Sequence, residues 1–261
     1  MSAHSERVPP SRAVCRSAIA LGLVLLTGAM TGCGEEQDPD EGTNGVGKLT
    51  AKQIEAKARK SAESADAVRL SGTVVSKGSS YRIDMRLKEN GGVGEVSAKD
   101  GPRFELLRLA ESLYLKADAD FWAHDGKGGK QSAADKQAAG KLEGKYVRVH
   151  SEDPSYKQLS AFTDMKVLLE GLLSLDGERE VGERNEIGGV RTVQVMAGEG
   201  GGGTLDVALV GKPYPLRLER GGGAGVVEMA EWGKDFTLRK PKKEQTVDHG
   251  EPGAGSGLSG G

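Results

Sequence analysis

The clearest pattern in this chain is an alternation with a period of two. Tyr81, Ile83, Met85 and Leu87 alternate with Arg82, Asp84, Arg86 and Lys88, the mark of a strand with one dry and one wet face. Val68, Leu70, Gly72 and Val74 repeat the pattern upstream, and Lys77-Gly78-Ser79-Ser80 turns the chain between the two. Asn90-Gly91-Gly92 is a strong hairpin signal. Further strands are predicted over 93–98, 103–109 and 113–116, with a turn at 110–112. A short strand over 145–150 follows an interruption. The alternation resumes over 178–187, 190–196, 205–209, 216–220 and 226–232, with Phe236 and Leu238 as a last edge. Strands this regular, joined by tight turns, predict an antiparallel meander.

Three stretches change period. Thr50-Ala51-Lys52-Gln53 is a capping box, with Leu49 and Ile54 placed for a hydrophobic staple. The helix it opens runs to about Ala65, with Ile54, Ala58, Ala62 and Ala65 on one face. A short helix fits 135–142. Pro154 to Phe162 and Met165 to Leu175 make a helical pair, the first with Pro154 in its first turn. Met165, Leu168, Leu169, Leu172 and Leu173 form a wide apolar face on the second. About ten antiparallel strands curl by their own twist, and their dry face needs a cover. The expected fold is therefore α+β: a strongly curved antiparallel half-barrel of about ten strands, with helices covering its concave face. A poorly filled concavity of this kind is a natural apolar pocket.

The N-terminus reads as an export signal. Arg7, Arg12 and Arg16 precede an apolar run from Ala18 to Met30, too short for the roughly 20 residues that span a bilayer as a helix. Leu26-Thr27-Gly28-Ala29-Met30-Thr31-Gly32-Cys33 resembles a bacterial lipobox, in which the Cys is acylated and becomes the first mature residue; Met30 stands where Leu is usual. The alternative, cleavage elsewhere, leaves Cys33 as a lone thiol in an oxidising compartment. The expected domains are a lipoprotein signal at 1–32, an acidic flexible linker at 33–48, a folded domain at 49–241 and a disordered Gly/Ser-rich tail at 242–261.

Composition narrows the function. The chain has 36 Lys and Arg against 38 Asp and Glu. Loss of the signal removes three Arg and one Glu, which leaves 33 against 37. A net charge of about −4 supplies no basic excess for nucleic acid. Of the two Cys, Cys15 leaves with the signal, so no intramolecular disulfide forms in the remainder. Gly42 to Lys48 reads as a Gly-rich phosphate loop, but Leu49 follows where Ser or Thr would hold Mg²⁺, and no strand precedes it. His124, His150 and His249 lack ligand spacing. No nucleophile elbow or defensible Ser/His/Asp set is present. No cofactor, metal site or catalytic residue is expected, and an enzyme ranks third among the functional readings.

The order of these segments resembles the actinobacterial LppX/LprAFG lipoproteins, which share the LolA-like fold. Ser112-Leu113-Tyr114-Leu115 followed by Phe121-Trp122, the entry Gly188-Gly189-Val190-Arg191-Thr192-Val193, Pro213-Tyr214-Pro215-Leu216-Arg217-Leu218, and Trp232-Gly233 with Pro241 are similar to segments of that family. The likeness covers roughly residues 49–241. It implies a half-barrel whose cavity takes an acyl lipid or a lipid-linked glycan, on a protein anchored through Cys33 to the extracytoplasmic side of the cell membrane. Candidate cavity residues are Tyr81, Met85, Tyr114, Met165, Leu168, Leu169 and Leu172. For each, ordinary core packing is the competing reading. The alternative function is a ligand-free interaction or sensor module on the same fold, with a protein partner that the sequence does not name.

Overall fold

The structure, a computed structural model, describes residues 40–76, 78–99, 101, 103–123 and 133–248. Its first element after a short 3-10 turn is α1 (Ala51–Glu63). The expected capping box is present: Gln53 Oε1 accepts from the Thr50 N–H and from its hydroxyl, both at 3.1 Å. Ile54, Ala58 and Ala62 are fully buried along one face, the spacing a helix needs to lay one stripe on a sheet.

Five strands follow in succession: β1 (Ala67–Ser76), β2 (Ser79–Lys88), β3 (Gly91–Ala98), β4 (Arg103–Leu109) and β5 (Ser112–Ala117). The helical interruption is α2 (Ala119–Ala123) and α3 (Ala133–Leu142). β6 (Tyr146–Val149) leads to α4 (Tyr156–Ala161) and α5 (Met165–Leu172). The second run is β7 (Arg179–Ile187), β8 (Val190–Ala197), β9 (Gly203–Ala208), β10 (Pro215–Glu219) and β11 (Val226–Ala230), and β12 (Thr246–Asp248) closes the described chain. All twelve belong to one curved, unclosed sheet of order β12-β6-β5-β4-β3-β2-β1-β11-β10-β9-β8-β7. Every pairing is antiparallel except β12 on β6.

Register assigns the two faces. Leu70, Met85, Gly94, Leu106, Leu115 and Val147 stand opposite one another across six strands, and the five with side chains are all buried. One residue along, Ser71, Asp84, Glu95, Glu105, Lys116 and Tyr146 form the matching row on the outer face. There Arg69 pairs with Asp84 at 2.7 Å and Arg86 with Glu231 at 2.9 Å.

The sheet consists of two sequentially built halves, β1–β6 and β7–β11, joined at one seam where β1 meets β11. Gly72 sits on that seam with φ +141°, and a Cβ there would run into the Val226 carbonyl oxygen. Only glycine lets the two backbones approach so closely.

The domain boundaries extend beyond the expected 49–241 at both ends. Residues from Asp40 onward, expected in a solvated linker, are docked: Val46 is in the core, the Asn44 N–H donates to Leu209 O at 2.8 Å, and Arg184 pairs with Asp40 at 2.7 Å. The Asp/Asn/Gly composition suggested solvation, but Asn44 donates to carbonyls at the end of β9 and Asp40 accepts from Arg184. At the other end, Phe236 and Leu238 form no edge strand. Residues 234–242 run as an irregular strap, with Lys88 Nζ donating to Phe236 O at 2.7 Å and pairing with Asp235 at 2.9 Å. The strap ends in β12, within the expected disordered tail, where Thr246, Val247 and Asp248 pair with Tyr146, Val147 and Arg148. Cys33, His124 and His249 lie outside the described residues.

Candidate functional site

The dry face is covered in two ways. α1 lies on β7–β10 and touches α5. At the other side, α4 and α5 bridge toward the paired ends of β1 and β2. Asp164 caps α5 by accepting the Val167 N–H at 3.1 Å, the role its sequence position predicts. The corner between α4 and α5 is pinned from β4: Arg108 donates to Thr163 Oγ1 at 3.1 Å and to Thr163 O at 2.8 Å.

The far end of α5 is pinned from α1. Glu55, almost fully buried, accepts from Arg179 Nε at 2.7 Å and from Arg59 Nη2 at 3.0 Å. The same guanidiniums donate to carbonyls just past α5, Arg179 to Leu175 O at 2.8 Å and Arg59 to Leu173 O. Burial pushes the Glu55 carboxyl up, but its two arginine partners outweigh that and hold it below the ordinary glutamate value.

Between these fixed points α5 has two apolar stripes. Met165, Leu169 and Leu172, each 5% exposed, pack into the core, and Leu172 also borders the cleft. Val167, Leu168 and Gly171 turn toward a cleft of about 560 Å³. Its opposite wall is the end of β1 and start of β2, with Val74, Val75 and Tyr81, and Phe162 closes it from α4. The Tyr81 and Phe162 rings meet edge-on at 5.5 Å, a favoured aromatic arrangement. Val75 and Val167 remain 43% and 53% exposed at the mouth. Lys157 and Arg220 are the charged side chains of the lining. The volume and the mostly apolar wall with few polar groups suit a small hydrophobic ligand.

Of the cavity residues expected from sequence, Tyr81, Leu168 and Leu172 line this cleft. Met165 and Leu169 lie beneath α5 and Met85 is fully buried at mid-strand, all three in the core. Tyr114 is on the wrong face: it shares the outer row with Leu107 and Arg148 and meets Tyr146 edge-on at 6.5 Å. Its burial comes from the outer face, which alternation alone does not distinguish from the inner one. Val74, Val75, Phe162, Lys157 and Arg220 escaped the sequence reading. The consecutive Val74-Val75 at a strand end was the available signal, since two apolar neighbours there cannot share one face.

Two other depressions, of about 570 and 800 Å³, carry Glu95 and Arg103 in their walls, together with further charged groups such as Asp84, Glu105 and Lys116. They offer solvated ion pairs rather than an apolar chamber. Among the described residues no group of three or more His, Cys, Asp or Glu is arranged to hold a metal ion. His150 Nε2 lies 2.6 Å from Asp248 Oδ1, tying β6 to β12. No helix of the described residues is long and apolar enough to cross a membrane.

No protein-family model matches the chain, and no curated protein matches it. Among solved structures, the chain is similar to LprF from Mycobacterium bovis with a TM-score of 0.50 and 17% identity, over 73% of this chain and 96% of that one. It also aligns with an uncharacterized conserved protein from Thermus thermophilus (TM-score 0.37, 10% identity, 76% and 98% covered). A third alignment is to the Pseudomonas aeruginosa MucA/MucB complex (TM-score 0.27, 13% identity, 75% and 59% covered). LprF is a protein of the LppX/LprAFG group that the sequence motifs resemble. The half-barrel of this chain, with its helices on the concave face, is the LolA-like fold that LprF has.

Proposed function

We propose that this chain is an exported envelope lipoprotein, anchored through an acylated Cys33, that holds an acyl chain of a lipid or lipid-linked glycan between α5 and the β1–β2 end. The observation that carries the reading is the cleft of about 560 Å³ with its apolar walls. A fold in common with LprF and the lipobox-like segment before Cys33 support it. Burial of an acyl chain contributes about 0.8 kcal/mol per methylene, so a half-length chain suffices for useful affinity. The anchor follows the same arithmetic: one chain holds a protein only marginally, and two or three hold it firmly.

A second reading has its own support. Among the described residues Met85, Leu106 and Leu115 fill the middle of the inner face, none of them exposed, and the apolar cleft lies at the end of β1 and β2 rather than there. On this reading the domain is a ligand-free interaction module and the cleft an incidental gap.

The test is mass spectrometry of lipid extracted from the chain produced without residues 1–32 and purified under native conditions. A stoichiometric acyl lipid is the expected result. A lipid-free protein that stays so after incubation with host membrane lipids favours the interaction module. The anchor is tested separately: Cys33→Ser is expected to remain uncleaved or to leave the membrane, and a processed variant that stays firmly bound would contradict acylation.

A further inference from the structure

The charged groups around the cleft share one sign. Lys157 projects from α4 and Arg220 from the end of β10, and among the described residues no carboxylate lines the walls. Six arginines elsewhere, Arg59, Arg69, Arg86, Arg108, Arg179 and Arg184, each lie within 4.0 Å of a carboxylate. Among the described residues Lys157 and Arg220 take part in no such pair. Arg220 is instead held in place by α5, where it donates to the Gly171 carbonyl. A guanidinium has five N–H donors in a planar fork, so this bond fixes the group at the mouth and leaves donor capacity facing the cleft.

Gly171 adds to the picture. It is an exposed helical glycine on the cleft side of α5, and a Cβ built there meets nothing within 4 Å. A glycine in a helix is costly relative to alanine, and here no neighbour requires it. The space beside it connects the apolar wall to Arg220.

We propose that the cleft selects an acyl chain that ends in an anionic group, a carboxylate or a phosphate, with the chain along Val74, Tyr81, Phe162 and Leu168 and the anion between Lys157 and Arg220. This rests on the lipid-binding reading above and specifies its ligand class. Paired cations at a partly apolar rim give charge-assisted bonds stronger than neutral ones, while the chain supplies most of the affinity. A small anion without a chain has too little to hold it there.

The test uses the chain from Cys33 to Gly261 with Cys33→Ser, delipidated and titrated by native mass spectrometry and tyrosine fluorescence. The probes are palmitate, palmitoyl-lysophosphatidylglycerol, palmitoyl-lysophosphatidylcholine and monopalmitoylglycerol, with inorganic phosphate and acetate as headgroup controls. The two anionic lipids are expected to bind about tenfold tighter than the neutral glyceride, as one charge-assisted contact gives. Which of the two binds tighter identifies carboxylate or phosphate. Lys157→Gln with Arg220→Gln is expected to erase the preference by weakening the two anionic lipids more than the glyceride, and Arg220→Lys to keep most of it. Gly171→Leu is expected to weaken all four lipids together. Equal binding of charged and neutral lipids by the unaltered chain overturns the headgroup assignment and leaves the lipid reading standing. Absence of binding by all four overturns the lipid reading itself, and the assignment with it. Tight binding of phosphate or acetate alone overturns the assignment in favour of a simple anion site.

Discussion

Two helices cover the same curved sheet and leave opposite results. α1 presents Ala58 and Ala62 beside one Ile54, and these small side chains let the helix lie directly on β7–β10. Beneath it Val193, Val195 and Leu205 are fully buried. α5 presents Met165, Leu169 and Leu172 inward, touches α1 and leaves Val167 and Leu168 beside the cleft. Its arginine-pinned ends hold it there, and the cleft opens along its other side. An alanine stripe thus closes one part of the concavity, whereas a leucine stripe props the other part open.

The contrast makes its largest prediction at Ile54. Ile54→Ala should cost about 2–5 kcal/mol, the range for truncating a fully buried aliphatic side chain, while Leu168→Ala at the half-open cleft should cost about 1 kcal/mol or less. Urea unfolding of both variants checks this, and equal losses would mean that the cleft is as tightly packed as the α1 seam. Next, Ala58→Leu should destabilise by about 1–3 kcal/mol, because no room exists between α1 and the sheet. A neutral outcome there would erase the distinction between the two covers. Gly171→Ala should do the reverse and stabilise the chain by about 0.5–1 kcal/mol, since its Cβ enters open space on a helix.

The smallest effect is a pH dependence of the α1–α5 clamp. Glu55 titrates below its ordinary value when folded. Its contribution is therefore complete above the ordinary glutamate pKa and lost as the pH falls through that value and the lower folded one. The difference in urea midpoint between the unaltered chain and Glu55→Gln should be larger at pH 7 than at pH 3. A difference that grows toward acid would reverse the sign and contradict the pairing with Arg179 and Arg59.

These comparisons also explain what the sequence made legible. Alternation over 81–88 identified β2 and its buried face, and the capping box located the start of α1. The period reports which residues share a face. It does not report which face meets a helix, hence Tyr114 on the outer side. Leu168 was legible as part of a wide stripe, but the separation of that stripe into core and cleft depends on which strands and helices meet α5. Arg220 had no local signal at all, because its place at the mouth arises where the end of β10 meets a helix some 50 residues upstream. Val46 and β12 escaped for a simpler reason: a single valine or a three-residue strand shows no periodicity.

The seam at Gly72 governs the order in which the molecule can assemble. Most neighbouring strands within each half are joined by short turns, and such local contacts form early and fast. β1 with β11 and β12 with β6 are the exceptions, and the first of these pairings closes a loop that contains most of the domain. The entropy of that closure falls on a single step. Until β11 is available, β1 presents an unpaired, mostly apolar edge, so the seam is where a nascent chain is most open to adding a foreign strand. A side chain at Gly72 would therefore destabilise the joined state itself, because its Cβ meets the Val226 carbonyl across the seam.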